Sequence, residues 1–258
     1  MVCAGWPLRA GLSGWMLVAD VRSDPARGHP VFQDRRDAGR QLAARLVSYA
    51  ARDPIVMAMP RGGVPVAVEI ANALGAPLDV ICVRKLGVPW QPELGLGAIA
   101  EGGIRVLNEA LIHDAGVRPA DVEQVTVEET AELTRRVGRY RGERPPIAVA
   151  GATVILVDDG LATGYTARAA IEALRVVGAI RVILAVPVAP RESATALEGV
   201  ADEVVVLETP GSFIGVGQAY RDFAPTTDQE VIDGLERART DRARASAPAT
   251  APAPQSGG

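Results

Sequence analysis

The sequence predicts an α/β protein built on an open, doubly wound, mainly parallel sheet with helices on both faces. Three observations lead there. Short, continuously apolar runs read as strands buried on both faces. Those runs alternate with stretches of helical periodicity, the pattern of a parallel sheet with crossover helices. Hydrophobic residues make up 48% of the 258 and charged residues 22%, which supplies a packed core and excludes a disordered chain.

Composition divides the chain into three parts. Residues 1–30 are punctuated by Gly, Pro and Arg and read as an irregular leader. The apolar stretch 14–19 within them is broken by glycine and falls far short of the roughly 18 to 20 residues that span a bilayer. Residues 31–225 carry the alternating pattern and form one domain, followed by a helix over 226–244. The end, 245–258, is an Ala/Pro low-complexity tail that has no core to bury.

Within the central part the elements follow in order. Asp34 caps a helix whose apolar positions Ala38, Leu42, Leu46 and Tyr49 recur at helical spacing. Residues 54–59 form a first strand, ended by Pro60-Arg61-Gly62-Gly63, and 66–74 a helix stopped by Gly75. Residues 78–83 form a second strand running into Arg84-Lys85, and 86–103 read as a long loop. The helix 120–141 is acidic first and basic last, matching its own dipole. Strand 154–157, helix 166–177 and strands 181–186 and 203–206 complete the pattern.

Composition also narrows the chemistry. A net charge of -4 leaves no global basic excess for nucleic acid. The cluster Arg135, Arg136, Arg139, Arg141 and Arg144 is either a nucleic-acid contact or a basic helix end complementing its dipole. Two cysteines, Cys3 and Cys82, are too few for a disulfide scaffold or thiolate zinc site and fit a reducing, cytoplasmic setting. His29 and His113 have no metal-ligand spacing. Among 27 basic residues Lys85 is the only lysine, so a lysine at that point is informative: ammonium and guanidinium differ in geometry and hydration.

Ligands of such folds bind beyond the carboxyl ends of the strands. The third strand runs into Asp158-Asp159-Gly160-Leu161-Ala162-Thr163-Gly164-Tyr165-Thr166. Glycines and threonines at a helix start offer amides, hydroxyls and a positive dipole end to a phosphate. Paired carboxylates beside them suit a diol. A sugar phosphate satisfies both halves; the bland alternative is a pair of turn-capping acids and glycines that serve packing.

This string resembles the phosphoribosyl diphosphate (PRPP) signature of the type I phosphoribosyltransferases: four apolar residues, two acidic, then a small Gly/Thr loop. Within that group the chain is similar to a bacterial branch named for the family alone, and the resemblance covers residues 31–225. It implies that Asp158 and Asp159 hold the ribose hydroxyls, and that Ala162, Thr163, Gly164, Tyr165 and Thr166 wrap the 5-phosphate. Tyr165 is bulkier than the family's small residue and points outward on this reading. The resemblance also implies that Arg61, Gly62 and Gly63 form a pyrophosphate loop, and that Arg84 and Lys85 contact the pyrophosphate. As turn and surface residues, these same positions have ordinary structural readings.

By the same resemblance, 86–103 is a mobile loop closing over the reaction and 187–223 a small C-terminal hood over the acceptor base. Glu93 and Glu101 in the loop are metal or substrate contacts, or solvated charges. Phe213, Tyr220 and Phe223 stack on the base, or pack a satellite core. Gly95 to Ala100 matches a relaxed dinucleotide motif without the apolar strand that should precede it, and is set aside. The implied activity transfers phosphoribosyl from PRPP to a nitrogenous base in a homodimer. Mg2+ is held mainly through the ligand, with Asp158 and Asp159 as protein donors, and the catalytic residues are Asp158, Asp159, Arg84 and Lys85. A PRPP-binding regulator without chemistry is the competing reading. A phosphoacceptor receiver domain fits poorly, because the strand over 181–186 ends without an acid.

Overall fold

A computed structural model describes residues 30–246. The leader and the tail expected at the two ends lie outside the described residues, apart from Pro30, Ala245 and Ser246; the last two continue the final helix. In chain order the strands are β1 (Ile55–Ala58), β2 (Leu78–Val80), β3 (Val83–Val88), β4 (Gln91–Ala100), β5 (Ile104–Leu107), β6 (Thr153–Val157), β7 (Arg181–Val188) and β8 (Glu203–Glu208). The helices are α1 (Arg35–Leu46), α2 (Gly63–Leu74), α3 (Glu109–Asp114), α4 (Pro119–Arg141), α5 (Tyr165–Val176), α6 (Arg191–Glu198) and α7 (Asp228–Ser246).

The central sheet is parallel throughout, in the order β2-β1-β6-β7-β8. Successive residues of a strand face opposite sides, so a strand covered on both sides must be apolar at every position. Accordingly Val56, Ala58, Ile155 and Val157 join one core with α1, α2 and α7, while Met57, Val154 and Leu156 join the other with α5 and α6. From β1 the chain crosses to β2 on one side, and from β6 to β7 and β8 on the other. The winding reverses between β1 and β6, and in doubly wound sheets ligands bind beyond the carboxyl ends of the strands at such a reversal.

Residues 86–103 are not a loop. β3, β4 and β5 form a separate antiparallel sheet, and β3 and β4 make a hairpin with Val88 opposite Gln91 across the turn at Pro89-Trp90. Leu86, Val88, Leu96, Ala98 and Ala100 are buried at two-residue spacing, and Ile99 is buried as well. The intervening glycines hide that alternation, and at Gly97 glycine is required: a Cβ there would lie 2.1 Å from the Val106 carbonyl oxygen of β5. The expected strand over 78–83 is likewise divided. The parallel sheet ends at Val80 and the second sheet begins at Val83, with Val80, Ile81 and Cys82 buried and Val83 half-buried.

Arg141 at the end of α4 is 3% exposed. It donates to Asp79 at 3.2 Å, to Glu101 and to the Val80 carbonyl. Glu101 also accepts the Cys82 amide at 3.1 Å, so it is neither a solvated loop charge nor a ligand group. Arg139 pairs with Asp228, and Arg135 and Arg136 with Glu132. Arg141 is thus held inside the fold, while Arg135, Arg136 and Arg139 pair with acids at the surface and Arg144 donates to the Arg141 carbonyl. Burial and Glu101 push the Cys82 thiol up to about 12, which leaves it inert.

Candidate active site

The acid pair follows β6, and the β1–α2 loop lies directly against it. A Cβ at Gly62 would stand 2.0 Å from Asp159 Oδ2, and one at Gly63 2.6 Å from the Val157 carbonyl oxygen. Both glycines are therefore demanded by the close approach of the two strand ends, which brings Arg61, Gly62 and Gly63 together with Asp158 and Asp159. The Pro60–Arg61 peptide bond is cis. The Arg61 side chain is half exposed, and its ion contact, with Asp228 at the start of α7, is long at 3.9 Å.

Asp158 Oδ1 accepts the Asp159 amide at 2.8 Å. Burial, and the Asp159 carboxylate beside it, push the Asp158 acid well above the usual carboxylate range. The Asp159 carboxylate is already engaged: Arg35 Nε donates to Oδ2 at 2.7 Å, with both side chains largely buried. The two acids thus form an asymmetric pair, one paired with a cation and one without.

Downstream, residues 162–166 form an open loop leading into α5. Ala162, Thr163, Tyr165 and Thr166 are exposed, Tyr165 pointing outward with 66% of its surface free. Gly164 adopts φ +76, a conformation glycine takes without strain, just before the helix. Among the described residues no acceptor takes the backbone amides of 162–166. With the α5 dipole behind them, these amides are free to receive an anion. Ser193 of α6 donates to the Ala162 carbonyl at 2.6 Å and steadies the loop from outside.

The hood aromatics are mostly packing groups. Phe32 and Tyr220 join in a parallel bridge, with ring centroids 5.4 Å apart, and Tyr220 stacks on Phe223 at 5.0 Å. Tyr220 is buried and its hydroxyl donates to the Asp159 main-chain carbonyl, so it braces the acid pair from below instead of offering a face to a base. The Arg35 guanidinium lies over the Phe223 ring, 3.9 Å from its centre and 6.0 Å from that of Tyr220. Phe213, half-buried, packs at the edge of this satellite core.

Arg84 and Lys85 do not end a strand of the central sheet; both lie within β3. Arg84 donates to Glu129 of α4 at 2.6 Å. Lys85 projects from the opposite face of β3, its alkyl chain passing over Gly95. Sequence reasoning missed Arg35. One signal marked it: two arginines in the first turn of a helix oppose its dipole and call for anionic partners, which Arg35 finds in Asp159 and Arg36 in Glu69. On the other flank of Arg35 a cleft of about 320 Å³ opens between α1, α2 and α7, lined in part by Val64, Pro65 and Thr226.

An acid pair and a loop of open amides at the switch point of a doubly wound sheet place the chain among α/β proteins with their site at the strand ends. The phosphoribosyl transferase domain family matches residues 32–221, and the chain belongs to that family. It is 49% identical over 217 residues to a provisionally named phosphoribosyl transferase found in two strains of Mycobacterium tuberculosis. That match takes in 84% of this chain and 49% of the relative, so the chain spans about half the length of the curated relatives it matches. It is 42% identical to the protein TT1426 of Thermus thermophilus, whose crystal structure aligns with a TM-score of 0.72 over 80% of this chain and 98% of that one. Among the described residues no helix is long and apolar enough to cross a membrane.

Proposed function

We propose that the chain transfers the phosphoribosyl group of PRPP to a flat nitrogenous base, releasing pyrophosphate. The observation that carries this is the junction of a diol-accepting acid pair with an unoccupied row of amides at the β1/β6 switch point. Asp158 and Asp159 accept the ribose hydroxyls, and the amides of 162–166 with the hydroxyls of Thr163 and Thr166 take the 5-phosphate. Arg61 and the Gly62–Gly63 turn face the pyrophosphate. As the bond from C1 to pyrophosphate breaks, positive charge grows on the ribose ring and negative charge on the leaving group; the acids offset the first and Arg61 the second. Lys85, on the neighbouring β3–β4 hairpin, is the second leaving-group cation.

Among the described residues no three His, Cys, Asp or Glu side chains stand together as a metal cage. The donor set suits Mg2+ held chiefly by ligand oxygens, with Asp158 and Asp159 completing its shell. Bound in that way, the ion supplies neutralisation of the pyrophosphate charge. A homodimer follows from the family resemblance, and a reducing, cytoplasmic setting from the scarcity of cysteine.

A PRPP-binding protein without catalysis is the second reading. The commitment of Arg84 to Glu129 favours it, because it withdraws a cation assigned to the leaving group. A pyrophosphate-release screen with PRPP, Mg2+ and a panel of purines, pyrimidines and related rings separates the two. Release with one acceptor supports the transferase. Saturable PRPP binding with no release across the panel supports the regulator.

A further inference from the structure

We propose that Arg35 is a positioning residue for the ribose-binding acid pair, holding Asp159 in the orientation that leaves the second oxygen of its carboxylate to a sugar hydroxyl. The inference rests on the functional reading above. Arg35 donates to Oδ2 at 2.7 Å, and another group within hydrogen-bonding reach of the Asp159 carboxylate is the neighbouring Asp158 carboxyl, which belongs to the same proposed ribose site. Gly62 also packs close to the carboxylate: a Cβ there would lie 2.9 Å from Oδ1 and 2.0 Å from Oδ2. The carboxylate is held by a cation and crowded by a glycine, with little room to rotate.

Arg35 is itself fixed. Its Nη1 donates to the Ala224 carbonyl at 2.8 Å and its plane covers the Phe223 ring. Phe223 stacks on Tyr220, whose hydroxyl returns to the Asp159 main-chain carbonyl. One assembly therefore grips Asp159 by side chain and by backbone. The Arg35 charge also opposes the rise that burial and Asp159 impose on Asp158. Arg36, the next residue, points instead to Glu69 and remains largely exposed, which makes it a control.

The test measures ribose 5-phosphate and pyrophosphate separately, by isothermal titration on the full chain. Arg35→Ala is expected to weaken ribose 5-phosphate about 10- to 100-fold, the scale of losing a supporting partner behind a ligand-binding group. Pyrophosphate, bound by the β1–α2 loop, is expected to change by less than about threefold. Arg35→Lys should recover part of the ribose 5-phosphate affinity, and Arg36→Ala should match the wild type. A ribose 5-phosphate affinity unchanged in Arg35→Ala overturns the inference, and so does a parallel loss of both ligands, which signals a purely structural role. Should Arg35→Ala fail to fold, Arg35→Gln replaces it with the same expectations and the same two overturning results. A wild type that binds neither these ligands nor PRPP overturns the functional reading and this inference with it; binding by the wild type with no selective loss in the variants overturns this inference alone.

Discussion

Two arginine–carboxylate clusters lie in this fold, and they are built to opposite ends. Around Arg141 the polar groups are closed on one another. Asp79 accepts from Arg141, from the Val80 amide at 2.8 Å and from the Ile147 amide at 3.1 Å, while Glu101 takes Arg141 and the Cys82 amide. Around Arg35 the closure is incomplete. Among the described residues Asp159 has one cation, at Oδ2, Asp158 accepts its neighbour's amide and lies within hydrogen-bonding reach of the Asp159 carboxylate, and no acceptor takes the amides of the adjoining loop. A buried charge that is fully satisfied joins the second sheet to the first; a buried charge left under-coordinated at a strand end is a place for a ligand.

The sharpest break of this comparison is Asp158→Asn combined with Asp159→Asn. PRPP-dependent pyrophosphate release should fall by about a thousandfold or more while the far-ultraviolet circular dichroism stays native. Arg141→Met should do the reverse. It leaves Asp79 and Glu101 without their cation at a cost of about 3–5 kcal/mol, lowering the melting temperature by about 10 °C while turnover well below that temperature persists. Gly62→Ala comes next. The backbone there is right-handed helical (φ -58, ψ -34), so alanine suffers no conformational strain and the whole effect is the collision with Asp159. Overpacking of that kind costs about 1–3 kcal/mol, and PRPP affinity should fall about tenfold by titration.

The smallest effect is a pH dependence. The Asp158 acid is raised in the folded state, so the folded protein holds a proton that the unfolded chain has lost. Stability therefore declines as pH rises from the ordinary carboxylate range through the raised value. Asp158→Asn should flatten that decline in melting curves recorded across the window; an unchanged slope would show that Asp158 is not the group responsible.

Much of the central sheet was legible because its strands are apolar at every position and its ends are marked by Gly, Pro or Asp. The acid pair and the 162–166 loop were legible for the same reason, being local to one strand–helix junction. The division between β2 and β3 was not, because apolar residues continue through the break, with Ile81 and Cys82 buried between the two strands. Glycines at 87, 95 and 97 masked the two-residue period of the hairpin. Long-range pairings left no local trace: Arg35 and Asp159 stand 124 residues apart, and Glu101 meets Arg141 across 40. The aromatic residues near 213–223 signalled a cluster, but only the bridge from Phe32 shows that Tyr220 is an interior brace.

Lys85 carries the sole ε-amine of the chain, and it lies in β3 of the hairpin, where it is proposed to serve the leaving pyrophosphate. An amine-directed reagent thus has a single side-chain target, with the terminal α-amine as its only rival. Mass-spectrometric footprinting of that amine, with and without pyrophosphate, would report ligand-dependent shielding of the hairpin from one peptide.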